Sequence, residues 1–338
     1  MKAFFHTLGC KVNQYETQEM REQLNKSGYQ VTEDEEDADV FVINSCTVTS
    51  ESDRKTRQCV RHYKKKHPES TVVLTGCMPQ SFPEMAEKLT EADIVLGNKN
   101  NKLLVSSLNE YFGESCRVLH MEQHESGEPL ISSGITSFEE RTRATLKIED
   151  GCDRFCSYCI IPKARGRIRW KPIDDIKREV NALADNGYRE IVLVGINLSA
   201  YGKGSDIDLA DAIAVISEHE KIERIRLGSL EPDHITDNLI EKMAKYEKLC
   251  PQFHISLQSG CDKILKKMNR HYTSDKYFTL CEKLRKEFVN CTLTTDIMVG
   301  FPNENDEDFE ITKQFAEKVG FEKIHIFPYS RRSGTVAD

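Results

Sequence analysis

Three cysteines crowd one short stretch of the chain: Cys152, Cys156 and Cys159, spaced C-x3-C-x2-C in GCDRFCSYC. Thiolates this close can wrap one soft metal centre from a single loop. Zinc sites and four-cysteine ferredoxin clusters both call for a fourth protein ligand, and no cysteine or histidine stands close by in sequence to provide it. Three ligands and one open position suit a 4Fe–4S cluster whose fourth iron binds something else. Zinc is the weaker alternative. Three further cysteines, Cys10, Cys46 and Cys77, are far apart in sequence, yet each directly follows an apolar run, in HTLGC, INSC and LTGC. If those runs are neighbouring parallel strands, their carboxyl ends converge on one crevice and can bring the three thiols together. Burial as plain core cysteines is the competing expectation. Cys59, Cys116, Cys250, Cys261, Cys281 and Cys291 share no spacing and read as core or incidental thiols.

The elements that must position these groups follow from the apolar pattern. Short apolar runs at 3–8, 40–43, 72–74 and 94–96 alternate with helical periodicity at 13–26, 50–66, 82–89 and 100–111. Such alternation predicts a parallel sheet covered on both faces over residues 1–112. Residues 113–141, with scattered Gly, Ser and Pro, read as a linker with one hairpin at most. From Thr142, six strand candidates (144–149, 191–194, 224–227, 253–257, 293–299, 323–327) alternate with helices. Six β/α units in series suggest a partial parallel barrel or a doubly wound sheet over 142–328. Residues 329–338 form a basic, turn-rich tail that does not look like a domain end.

The strand ends of this second region are polar: Gly195 and Asn197, then Ser229 and Glu231, Ser256, Gln258 and Ser259, and Asp296 and Gly300. Such groups at a barrel mouth suit the ammonium, carboxylate and ribose hydroxyls of a cofactor. Tyr158 and Trp170 could stack on a base or cofactor. Two basic segments stand against a chain of 47 Lys+Arg and 55 Asp+Glu, net charge −8. One runs from Arg54 to His67 and holds Arg61 and Lys64; the other, KARGRIRWK, holds Arg165, Arg167 and Arg169. The acidic balance argues against coating of bulk nucleic acid, whereas a local basic stripe suits a phosphate backbone. Twelve cysteines in 338 residues without a signal pattern or membrane span point to a cytoplasmic protein with metal ligands rather than disulfides.

With these residues in hand, the chain resembles the radical S-adenosylmethionine (SAM) methylthiotransferases along nearly its whole length. HTLGCKVNQYET, INSCTVT, LTGC, GCDRFCSYCIIPKARG, HISLQSGCDKILKKMNRHYT, TDIMVGFPNENDEDF and FPYSRRSGT carry the resemblance, in the family's order. The opening TLGCKVNQYET is most similar to the branch that acts on threonylcarbamoyladenosine in tRNA. Lys163 and Trp170 depart from the family pattern. The resemblance implies a flavodoxin-like parallel sheet followed by a partial (β/α)6 radical SAM barrel of the TIM type. It implies two 4Fe–4S clusters, with Cys152, Cys156 and Cys159 on the one that binds SAM and Cys10, Cys46 and Cys77 on an auxiliary one.

Under the same resemblance, a methylthio group replaces hydrogen at C2 of an adenosine beside the anticodon. The implied partners are SAM, the anticodon stem-loop of tRNA and an electron donor such as flavodoxin or ferredoxin, with no membrane and a monomeric enzyme. The small β domain that grips tRNA in such proteins is expected to be missing beyond residue 338. Rival readings are a methylthiotransferase for isopentenyl-adenosine tRNA or for a ribosomal-protein aspartate, and a non-catalytic iron–sulfur sensor that binds RNA.

Overall fold

The computed structural model describes residues 1–138 and 142–338, so residues 139–141 of the expected linker lie outside the described residues. The chain divides into two compact units, one of residues 1–128 with 160–167 and one of 129–159 with 168–338.

In the first unit six strands, β1 (Lys2–Thr7), β2 (Gln30–Thr32), β3 (Val40–Ser45), β4 (Thr71–Gly76), β5 (Ile94–Leu96) and β6 (Val118–His120), form one sheet. All neighbouring pairs are parallel, in the order β2-β1-β3-β4-β5-β6. That is flavodoxin-like order, extended by one edge strand. Successive side chains of a strand point to opposite faces. Accordingly, Phe41 and Ile43 join Val60 and Tyr63 in one core, while Val40 and Val42 join Met20, Leu24 and Leu108 in another. Helices Lys11–Lys26 and Leu104–Glu114 cover the second face, and Ser50–Lys66 covers the first. Helix Ser50–Lys66 starts where the Thr49 side chain accepts the Ser52 amide and ends on Lys64, Lys65 and Lys66, both favourable to the helix dipole.

Two short strands, β2 and β6, are absent from the sequence expectation because they are the partly exposed edges of the sheet, QVT and VLH, and lack the continuous apolar run that marks the equally short but buried β5. β6 also corrects the first boundary: the sheet continues past residue 112 into the expected linker. Farther along, the Ile135 amide donates to Glu179 (3.0 Å) and the Phe138 amide to the Tyr188 hydroxyl (2.6 Å), so that stretch is anchored to the second unit.

The second unit strings together β7 (Ala144–Lys147), the short pair β8 (Glu149–Asp150) and β9 (Arg169–Trp170), then β10 (Glu190–Val194) and β11 (Arg224–Leu227). It continues with β12 (Ser229–Leu230), β13 (Gln252–Ile255), β14 (Thr292–Val299) and β15 (Lys323–Pro328). β7, β10 and β11 form one parallel sheet and β12 to β15 another, each neighbour the next in sequence apart from the β8–β9 hairpin. Only Gly228 separates β11 from β12, and a parallel bridge pairs Ile225 of β11 with Leu249, just ahead of β13. The result is an open six-unit (β/α) barrel. Several of its helices start on side-chain caps: Asp208 and Asn305 close capping boxes, and Thr236 and Thr273 each accept a first-turn amide.

Residues 329–338 pack back on this unit instead of trailing away. Tyr329 meets Phe301 edge-on at 5.6 Å, and the Ala337 amide donates to the Ser157 carbonyl (2.8 Å) inside the cysteine loop. Among the described residues, no helix is long and apolar enough to cross a membrane.

Candidate functional site

In the first unit the three adjacent strands β1, β3 and β4 deliver Cys10, Cys46 and Cys77 side by side. Glycine makes the approach close enough. Gly9 has φ +103°, and a Cβ there would stand 2.8 Å from Cys46 Cβ and 3.1 Å from its Sγ. Gly76, at φ +99°, would likewise drive a Cβ to 2.6 Å from the Ser45 carbonyl. Asn13 ties the loops together, its Nδ2 donating to the carbonyls of Leu8 (2.8 Å) and Ser45 (2.9 Å). Ser45 Oγ in turn donates to the Thr75 carbonyl (2.6 Å) and accepts the Met78 amide (3.1 Å).

Burial pushes the Cys46 thiol up and the Cys77 thiol up to about 12, and the Cys10 charge adds to both shifts. Arg165 opposes them. Its side chain is fully buried, with Nη1 and Nη2 forking onto the Glu16 carboxylate at 2.7 and 2.9 Å and Nη2 reaching Asn13 Oδ1 at 2.7 Å. One buried cation thus stands by three converging thiols.

The second set lies on the loop between β8 and β9. The Cys159 amide closes a turn on the Cys156 carbonyl (2.9 Å), and Phe155 holds a left-handed φ of +49°. Residues 267–270 brace the loop: Ser157 Oγ donates to the Lys267 carbonyl (2.8 Å), the Ser157 amide to Met268 (3.0 Å), and Asn269 Nδ2 to the Phe155 carbonyl (3.0 Å). Arg270 Nη1 points at Cys156 Sγ (3.4 Å) while the same guanidinium pairs with Glu231 and lies 5.0 Å over the Tyr272 ring. Burial raises the Cys152 thiol to about 12, with the Cys156 charge adding to it. Among the described residues, no three His, Cys, Asp or Glu side chains close on one point as ligands of a single ion would. Thiols on one zinc stand only about 3.8 Å apart, given a Zn–S bond of roughly 2.3 Å. Thiols that each hold a different iron of a cluster stand wider.

The other strand-end residues fall into place unevenly. Asn197 is buried beside the loop, its Nδ2 4.0 Å from Cys152 Sγ and its amide donating to Glu149 Oε2 (2.7 Å). Gly195 is small for a reason of packing, because a Cβ would sit 2.5 Å from that same Glu149 oxygen. Glu231 is turned to Arg270; burial raises its carboxyl above the usual range. Ser229 is exposed in β12, and the Ser256 carbonyl accepts from Arg270 (3.2 Å). Gln258 has φ +66° and exchanges backbone bonds with Asp296 and Met298, and its buried Oε1 has no partner among the described residues. Asp296 lies lower, at 3.1 Å from His254 Nε2. Tyr158 packs edge-on against Phe301 at 6.3 Å in a small apolar cluster. Trp170 likewise packs on Tyr201 at 5.9 Å.

Gly195→Ala is therefore expected to cost about 1–3 kcal/mol in a thermal melt, as overpacking does. Removing the Glu149 side chain in the same chain should recover part of it, since the two residues share one space.

The basic candidates need correction. Arg165 is on no surface, being wholly enclosed with Glu16, and Arg169 is buried with Nη2 3.5 Å from Asp150. Neither can meet a phosphate. Arg61 and Lys64 are on the outer side of their helix but pair with Glu91 (3.0 Å) and Asp93 (2.9 Å); Arg167 alone of the loop arginines is exposed. Sequence reasoning missed Glu149, Arg270, Asn13 and Glu16 as site residues. Three of them lay inside segments that carry the family resemblance, Arg270 in MNRHYT and Asn13 and Glu16 in KVNQYET.

A family model described as the Radical SAM superfamily matches residues 146–316, and one described as Uncharacterized protein family UPF0004 matches residues 2–97. The chain is 41% identical over 332 residues to the threonylcarbamoyladenosine tRNA methylthiotransferase MtaB of Thermotoga maritima, covering 98% of this chain and 75% of that protein. It is 35% identical over 341 residues to the tRNA-2-methylthio-N(6)-dimethylallyladenosine synthase of Clostridium perfringens, covering 98% and 76%. Among solved structures, the radical SAM methyltransferase TsrM of Kitasatospora setae matches with a TM-score of 0.69 over 97% of this chain and 74% of that one. At 13% identity that likeness is one of fold.

The open barrel and its superfamily match make this a radical SAM enzyme, with SAM and a 4Fe–4S cluster as cofactors. The chain belongs to the methylthiotransferase family of that class.

Proposed function

We propose that the enzyme replaces the C2 hydrogen of N6-threonylcarbamoyladenosine, beside the anticodon of tRNA, with a methylthio group. The observation that carries this reading is the pair of three-thiol sets, one in each unit, each beside a buried guanidinium. The 41% identity to a threonylcarbamoyladenosine enzyme supports the choice of substrate.

The donor sets fit the groups they would hold. Cys152, Cys156 and Cys159 would bind the cluster at which SAM is cleaved, and Cys10, Cys46 and Cys77 a second cluster that carries sulfur. When bound, these cofactors supply the methyl group and the one-electron chemistry that an aromatic C–H without an acidic proton demands.

The chain's own groups do the rest. Arg270 and Asn197 aim at two of the loop's sulfurs and offset their charge, and Asn197 is held in turn by Glu149. Glu231, Ser256 and Gln258 line the same strand ends and would orient SAM, with the orphaned Gln258 Oε1 free to accept from an ammonium. Reduction would come from an external one-electron donor such as flavodoxin or ferredoxin, in the cytoplasm, to a monomeric enzyme.

The test is turnover of reconstituted enzyme on tRNA carrying threonylcarbamoyladenosine, followed by mass spectrometry of the nucleosides. The methylthio derivative is the expected product. Product found only on tRNA carrying dimethylallyladenosine would transfer the enzyme to the other branch.

A further inference from the structure

Strands β13 and β14 bury one largely apolar face and turn a polar face the other way. Phe253, Ile255, Leu293, Thr295 and Ile297 are buried, with Phe253 stacked edge-on against Phe288 at 4.8 Å. The alternate residues Gln252, His254, Thr294 and Asp296 therefore take the opposite side. There His254 spans two strands, Nδ1 2.9 Å from Thr294 Oγ1 and Nε2 3.1 Å from Asp296 Oδ2, with the His325 ring 5.9 Å away. Gln252 Oε1 accepts from Arg226 Nη1 (2.7 Å), which brings β11 into the same wall.

Arg226 belongs to an unbalanced group. Its Nε donates to Glu190 Oε1 (2.7 Å), Arg224 donates to Glu190 Oε2 (2.9 Å), and Arg143 stands 3.5 Å from Oε1. Burial works against the Glu190 charge, yet the arginines outweigh it and hold the carboxyl below its usual range. Among the described residues, Glu190 takes all three guanidiniums and Glu223 offsets part of the Arg224 charge, which leaves cationic charge over, and 32% of the Arg226 side chain stays exposed to receive an anion. Nothing in the SAM or sulfur chemistry calls for this wall.

We propose that Arg226, with His254 and Asp296, reads the N6 substituent of the target adenosine, taking a carboxylate on Arg226 and a hydroxyl on the His254–Asp296 pair. The inference rests on the substrate reading above and deepens it. The two kinds of relative act on adenosines that differ at N6. A threonylcarbamoyl group carries a carboxylate and a hydroxyl, whereas a dimethylallyl group is hydrocarbon. An apolar group would strip water from these polar side chains and return no hydrogen bond, which is how such sites reject the wrong substrate. Direction agrees as well. C2 and C6 lie about 120° apart on the six-membered ring, as for any two meta positions. Turning C2 to the carboxyl ends of the strands, where the cysteine loop lies, turns the N6 substituent away from them, toward Arg226.

The experiment compares binding of anticodon stem-loops with threonylcarbamoyl, dimethylallyl or no substituent on the target base. The parent chain is expected to favour the threonylcarbamoyl RNA by about tenfold or more. Arg226→Met should bring that ratio near unity with iron content unchanged, because Glu190 keeps Arg224 and Arg143. Arg226→Lys should keep part of it, retaining charge but not the planar fork. His254→Ala should lower it less than Arg226→Met. A parent preference that survives in Arg226→Met and His254→Ala overturns the assignment to this wall and leaves the substrate reading intact. Equal binding of both modified RNAs by the parent also overturns the wall. Parent binding and turnover that both favour dimethylallyl RNA overturn the substrate reading itself.

Discussion

Alanine at Cys152, Cys156 and Cys159 together is expected to remove half of the iron and abolish SAM cleavage. Anaerobically reconstituted parent should hold about eight irons, as two four-iron clusters on thiolate ligands. The two thiol sets sit in separate compact units, so losing one leaves the other's scaffold standing. Alanine at Cys10, Cys46 and Cys77 should therefore also halve the iron, yet leave SAM cleavage measurable. Iron analysis with anaerobic visible spectra checks both variants, and assay of the deoxyadenosine released checks cleavage. Full iron in either triple variant would overturn the assignment of two clusters.

Arg165→Ala is expected to be the most damaging single substitution in the first unit. It leaves the Glu16 side chain, only 3% exposed, buried without its counter-charge. Breaking a buried pair from one side costs about 3–5 kcal/mol, whereas replacing both partners by apolar residues of similar volume is often close to neutral. Arg165→Met with Glu16→Met should thus melt near the parent temperature while Arg165→Ala melts far below it. Arg165→Lys should fall between, since an ammonium cannot fork onto Glu16 and Asn13 at once. The salt dependence of RNA binding should be unmoved in the double variant, because this guanidinium meets no solvent. An Arg165→Ala chain as stable as the parent would contradict the buried pair.

Much of this was legible locally. The six cysteines, the alternating strands and helices and the polar strand ends all lie within short windows, where spacing and period carry information. What was not legible depends on partners far apart in sequence. Arg165 looks like one more cation in a basic run, and its fate is decided by Glu16, 149 residues away. Glu149 is one acidic residue before a cysteine loop; only the fold brings it under Gly195 and Asn197. Tyr158 and Trp170 follow the more ordinary habit of aromatics and pack against neighbours.

The segment from Ile160 to Arg167, which leaves the second cysteine loop and belongs to the first unit, has a consequence for how the chain is made. Asn13 and Arg165 are separated by 152 residues. At roughly 5–20 residues per second, the ribosome delivers that partner on the order of ten to thirty seconds after Asn13 itself. Until then the nascent sheet holds Glu16 without its guanidinium, and its three cysteines converge without the cation beside them. The first unit is thus first in sequence but cannot be completed until synthesis has passed through the second unit's cysteine loop. Its thiols meet their full environment only after the chain has already synthesised Cys152, Cys156 and Cys159.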